Sequence, residues 1–127
     1  MENILHLPLK AEWYNLIESG IKKEEYREIK PYWIKRLLEV INTDYTEYIP
    51  IDKASIDFYN QNHKYLNIAI KSKSIKFKNY NKVKFTYGYT KKSMTFEIIN
   101  ITIGKGKIEW GAMDDLLFII KLGNRLD

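Results

Sequence analysis

Gly20-Ile21-Lys22-Lys23-Glu24-Glu25-Tyr26-Arg27-Glu28-Ile29-Lys30-Pro31 places seven charged side chains among twelve residues and separates two segments with helical patterns. Upstream, Leu9, Trp13, Leu16, Ile17 and Gly20 fall at i, i+4, i+7, i+8 and i+11, one apolar face of a helix that Ser19-Gly20 stops. Downstream, Pro31 is a good first residue for a second helix, with Ile34, Leu37, Leu38 and Ile41 on its apolar side. The run between them has no helical stripe. If it is extended, Lys23, Glu25 and Arg27 share one face, and Lys22, Glu24, Tyr26 and Glu28 share the other.

Before the first helix, Ile4-Leu5-His6-Leu7-Pro8-Leu9 reads as a short buried strand with Pro8 near its end or edge. Beyond the second helix, residues 43–72 keep no clean period. Ile and Tyr remain frequent there, which predicts an insertion with structure of its own rather than disorder. From Ile75 the period changes to two. Val83, Phe85, Tyr87 and Tyr89 alternate with Lys82, Lys84, Thr86 and Gly88, Thr90–Ser93 suits a hairpin connection, and Met94–Ile103 follows as a second strand. Leu116–Leu122 closes the pattern as a continuous apolar strand. The expectation is one α+β domain over residues 1–127 whose later strands close into a barrel.

Composition sets the class. The chain has 127 residues, 45% hydrophobic and 29% charged, which suits a single folded domain. No apolar run approaches the roughly 20 residues of a membrane span. The Met1–His6 start lacks the features of a signal peptide, so the expectation is a cytoplasmic protein that engages no membrane. Cysteine is absent, which excludes disulfides and zinc–thiolate sites, and His6 and His63 are too few and too far apart to suggest a metal. No cofactor is expected.

The net charge is +5, distributed unevenly. Residues 1–57 carry eight basic against eleven acidic side chains, and residues 97–127 carry four against five. Residues 58–96 carry nine lysines and no acid, interleaved with aromatics such as Phe58, Tyr65, Phe85 and Tyr87. Lysines that neutralise phosphates beside rings that stack bases form a nucleic-acid footprint. With eighteen lysines against three arginines, the same run also fits a compositional bias of the whole chain.

Within the opening stretch, Gly20, Lys22, Glu25 and Arg27 read G-x-K-x-x-E-x-R. Lysine offers a compact ammonium, arginine a planar fork for phosphate or a base edge, and glutamate an acceptor or proton carrier. Taken alone, so short a pattern is more commonly a solvated charged loop with local ion pairs. Gly104-Lys105-Gly106-Lys107 lacks the phosphate-loop spacing and reads as a strand-end turn. Of the tryptophans, Trp13 sits on the apolar helix face and reads as core, while Trp110, between Glu109 and Gly111, is a candidate ring for stacking.

The segment from Leu5-His6-Leu7 through Gly20–Trp33 resembles the N-terminal half of an ASCH domain, nearest the small ASCH proteins of phages and bacterial mobile elements. G-x-K-x-x-E-x-R is that family's signature. The likeness resumes at Lys82–Tyr89 and runs through Ile103–Gly111 to Phe118–Gly123, about three-quarters of the chain, leaving residues 43–72 without a counterpart. It implies a PUA-like fold, a small closed β-barrel of about five to six strands with two to three helices covering it. It also implies a cleft lined by Lys22, Glu25 and Arg27 that binds RNA; the expected ligand is RNA or a modified nucleoside in a basic cleft, with Tyr26, Lys82, Lys84, Tyr87 and Trp110 as this chain's further candidate contacts. Some ASCH-like proteins are amidohydrolases that remove acyl groups from the exocyclic amine of cytidine, using a signature lysine, a threonine three residues on and a distant glutamate. Lys22 matches the lysine, Glu25 stands at the threonine, and Glu109 is the candidate distant acid. An interaction protein of phage origin, contacting a host partner through residues 43–72, is the third expectation.

Overall fold

A computed structural model of the chain describes residues 3–127. The chain divides into two compact units, one formed by the residues up to Tyr26 together with Asn79–Asp127, the other by Arg27–Lys78.

The first unit contains strand β1 (Ile4–Leu9), helix α1 (Ala11–Glu18) and the start of strand β2 (Glu24–Glu28). Strands β6 (Lys82–Tyr87), β7 (Ser93–Gly104) and β8 (Leu117–Arg125) complete it, with a 3₁₀ turn, Ile108–Trp110, before β8. The strands form one curled five-stranded sheet in the order β1-β6-β7-β8-β2, a half-barrel. β1 runs parallel to β6 with Leu5 opposite Val83 and Leu7 opposite Phe85, while β6–β7 and β7–β8 are antiparallel. The expected closed barrel is met only in this coarser form. β1 is an edge strand, as Pro8 requires, because proline donates nothing to a further ladder.

Alternation along these strands builds the core. Leu5, Leu7 and Leu9 of β1, Val83 and Phe85 of β6 and Met94 and Phe96 of β7 are buried, with Tyr14 and Ile17 of α1. The alternation in β6 stops short of Tyr89, which is fully exposed in the turn before β7. In β8, Leu117, Phe118, Ile119 and Ile120 are all buried in succession. A strand buried on successive residues is covered on both faces. Leu117 and Ile119 pack in a cluster with Tyr26 and Ala112, against which Trp110 leans.

The second unit holds helix α2 (Pro31–Leu37), strands β3 (Leu38–Ile41), β4 (Tyr48–Pro50) and β5 (Ile75–Phe77), and helices α3 (Lys53–Gln61) and α4 (His63–Lys71). Its three strands are antiparallel in the order β4-β3-β5. Two sequence expectations change here. Helix α2 ends at Leu37, and Leu38 and Ile41 stand in β3, where β-branched Val40 and Ile41 favour the extended state. Ile75–Phe77 pairs with β3 rather than opening the curled sheet. The segment 43–72 does have structure of its own, β4, α3 and α4, and these helices bring the α-helices among the described residues to four where two to three were expected. No helix among them is long and apolar enough to cross a membrane.

The junction after α1 determines where the charged stretch goes. Ser19 is the C-cap, Gly20 follows at φ +84°, the Gly20 amide donates to the Ile17 carbonyl and the Ile21 amide to the Leu16 carbonyl. This is a Schellman ending, and its αL position favours glycine. A Cβ on Gly20 would meet nothing within 4 Å, so replacing it carries the backbone cost alone. Gly20→Ala is expected to lower stability by about 1 kcal/mol, read as a shift of the denaturant midpoint at constant m-value.

Candidate functional site

The Schellman turn reverses the chain, and the amides of Ile21 and Lys22 both donate to the Leu16 carbonyl. Lys22 is thereby held at the end of α1 with its side chain passing Trp13. Its ammonium lies 5.3 Å from the centroid of the Trp13 ring and 4.6 Å from that of Tyr26. It forms an ion pair with Glu25 Oε1 at 3.2 Å and donates a hydrogen bond to the backbone carbonyl of Trp110. Lys22 is 2% exposed and Glu25 is 6% exposed. Charged residues are almost never buried to this degree unless paired, and this pair is enclosed between two aromatic faces.

The segment from Lys105 to Ala112 lies against the pair. The Lys107 amide donates to the Tyr26 hydroxyl at 3.0 Å, and that hydroxyl donates to Glu24 at 2.8 Å. Glycine permits the approach. A Cβ on Gly106 would stand 2.5 Å from the Tyr26 ring and 2.8 Å from the Ala112 side chain, and one on Gly111, at φ +96°, would meet the Trp13 ring at 3.0 Å. The Lys107 ammonium sits 4.3 Å from the Trp110 ring centroid. Gly104-Lys105-Gly106-Lys107 is thus a turn whose backbone holds strand β2 through the Tyr26 hydroxyl.

Burial pushes the Tyr26 phenol up to about 12 and the hydrogen bond to Glu24 adds to that, while the Lys107 amide pulls the other way. The phenol stays protonated at neutral pH and remains a donor to Glu24.

The fold brings together Lys22, Glu25, Tyr26 and Trp110 of the predicted set. Glu109 neighbours Trp110 but is exposed, and makes no hydrogen bond or ion pair among the described residues; its charge is felt at the Tyr26 phenol. Arg27 belongs to the other unit, where its guanidinium lies 5.1 Å from the Trp33 ring centroid. Lys82 and Lys84 are half-buried in β6, opposite Glu97 and Thr95 of β7. Strands β7 and β8 separate β6 from β2, about 14 Å along the sheet. Tyr87 packs edge-on against Tyr14 at 5.2 Å with the Lys92 ammonium over its ring, so it belongs to a different cluster. Among the described residues no group of three or more His, Asp or Glu side chains gathers as a metal site.

Sequence reasoning missed Trp13, Gly106 and Lys107. Trp13 read as core, yet Tyr14 and Ile17 carry the fully buried face of α1 and Trp13 is half-buried beside Lys22. The signal was present: once Gly20 closes a Schellman turn, the next side chain returns past the last turns of the helix. Gly106 and Lys107 carried no such signal, because their partner Tyr26 lies eighty residues away in sequence.

No family model, curated protein or solved structure matches the chain.

Two outcomes test this geometry. Lys22→Met removes the ammonium beside a buried carboxylate and should cost about 3 kcal/mol or more, whereas Lys22→Met/Glu25→Leu should recover most of that loss in a denaturant titration. The second is alkaline. The folded Tyr26 phenol titrates near 12 against 10.0 for the free side chain, so the folded state keeps a proton that the unfolded chain has lost. Stability present below pH 10 should fall as pH rises through that window, with Tyr26→Phe flattening the dependence.

Proposed function

We propose that the first unit is a nucleobase-binding module of the ASCH, PUA-like kind, acting in the cytoplasm on RNA or a modified nucleoside. The observation that carries this reading is the Lys22–Glu25 pair, 3.2 Å apart and enclosed by Trp13 and Tyr26. A pair that served the fold alone could be replaced by apolar side chains of similar volume at little cost or with a gain. The chemistry offered is a donor beside an acceptor, bounded by ring faces. A nucleobase edge carries the complement, a carbonyl that accepts beside an exocyclic amine that donates, and its π-face stacks on aromatic side chains. The carbonyl of Trp110 holds the place on the ammonium that a base carbonyl would take.

The direct contact between Lys22 and Glu25 favours a second reading, hydrolysis of acylated cytidine. A carboxylate within hydrogen-bond reach of an ammonium can relay a proton from an attacking water to the departing amine. Glu25 then acts as base where the family has a threonine, with Glu109, exposed and close enough for its charge to raise the Tyr26 phenol, as the candidate distant acid.

A nucleoside screen tests both. Purified protein is incubated with acylated and unmodified cytidines, with Lys22→Met/Glu25→Leu as the control and products separated by chromatography. Deacylation lost in the control identifies an amidohydrolase. Binding without turnover, weakened at least about tenfold in the control, identifies a reader. Neither binding nor turnover of any nucleoside, with single-stranded RNA binding unchanged in the control, overturns the proposal.

A further inference from the structure

The second unit carries an exposed surface that its own core does not explain. Along α4, Lys64, Tyr65, Ile68 and Lys71 fall at i, i+1, i+4 and i+7 and form one outward stripe, while Leu66 and Ala69 are buried on the opposite side. Tyr65 is 58% exposed and Ile68 59%. Phe58, near the end of α3, is 45% exposed and meets the Tyr65 ring at 5.9 Å with an interplanar angle of 32°. Two large rings therefore sit side by side in solvent, their faces inclined by about a third of a right angle.

The segment from Phe58 onward is basic. Residues 58–78 carry five lysines and no acid. The two acids nearest in sequence are engaged within α3: Asp57 pairs with Lys53 at 3.1 Å, and Asp52 accepts the Ser55 amide as N-cap. Lys64 and Lys71 bracket Tyr65 and Ile68 along the helix, have no acidic partner among the described residues, and remain available to a polyanion.

We infer that this face of α3 and α4 binds single-stranded nucleic acid, with Phe58 and Tyr65 as a stacking platform and Lys64 and Lys71 as phosphate contacts. Adjacent exposed rings between cations are the arrangement that holds a strand without reading its sequence. The surface is separate in residues from the Lys22–Glu25 site and does not depend on what that site binds.

The experiment measures binding of fluorescent oligouridine and oligothymidine to the full chain across a salt series. Phe58→Ala/Tyr65→Ala should weaken binding at least about fivefold per ring. Lys64→Gln/Lys71→Gln should lower the slope of log affinity against log salt by about 1.4, because a single strand releases roughly 0.7 counterion per phosphate neutralised. All four side chains are exposed, and circular dichroism confirms that the variants keep the wild-type fold. A stronger effect on oligouridine assigns the surface to RNA, and an equal effect assigns it to single strands of either kind. Unchanged affinity and slope in both double variants overturn the inference. So does a ring variant that alters only sedimentation, which would make the patch a contact between copies of the chain. Free-nucleoside binding, read alongside, reports the Lys22 site alone, so failure of one site is distinguished from failure of the other.

Discussion

Burying the Lys22 ammonium is the constraint from which the organisation of the first unit follows. Taking an ammonium and a carboxylate out of water costs several kcal/mol per ion, repaid only where geometry and further hydrogen bonds are good. Glu25 supplies one acceptor at 3.2 Å and the Trp110 carbonyl supplies another. The second acceptor comes from a segment nearly ninety residues away, so that segment must lie against Lys22 and the start of β2. Its approach needs Gly106 beneath the Tyr26 ring and Gly111 beside Trp13. The hydroxyl of Tyr26 closes the arrangement by joining the Lys107 amide to Glu24. The same segment covers the second face of β8, which is why four successive residues of that strand are buried.

The cations of the chain are divided more finely than their order suggests. The acid-free run from 58 to 96 looks like one basic surface in sequence, but it crosses from one compact unit to the other at residues 78 and 79. Lys64 and Lys71 belong to a helix face in the second unit. Lys82 and Lys84 belong to β6, where they alternate with buried Val83 and Phe85. Lys92 lies over the Tyr14 and Tyr87 rings and pairs with Glu18 at 3.9 Å. A run of like charge is a property of the chain; a binding face is a property of the elements that display it.

Much of the fold was legible because local rules settled it. Alternation in Val83–Phe85 and Met94–Phe96 placed β6 and β7, Pro8 marked an edge, and Ser19-Gly20 marked a helix end. The errors came where local preferences were nearly balanced. Leu38 and Ile41 continue a helical spacing from Ile34 and Leu37, and only pairing with β4 and β5 draws them into a strand. In α1, Trp13 and Tyr14 occupy adjacent positions, and the side on which the sheet packs decides which of them is buried.

For the site, the sequence alone marked Gly20, Lys22, Glu25 and Arg27, since a helix stop followed by an alternating charged segment is written within a few residues. Tertiary structure decided the rest: that Lys22 is buried, that Trp13 and Trp110 are its neighbours, and that Glu109 beside them is exposed. The division has a physical cause. Turns and strand alternation are governed by torsions and hydrogen bonds over a few residues. The burial of a charge depends on which distant backbone carbonyl can reach it, and that is settled only when β2, β8 and the 105–112 segment pack together.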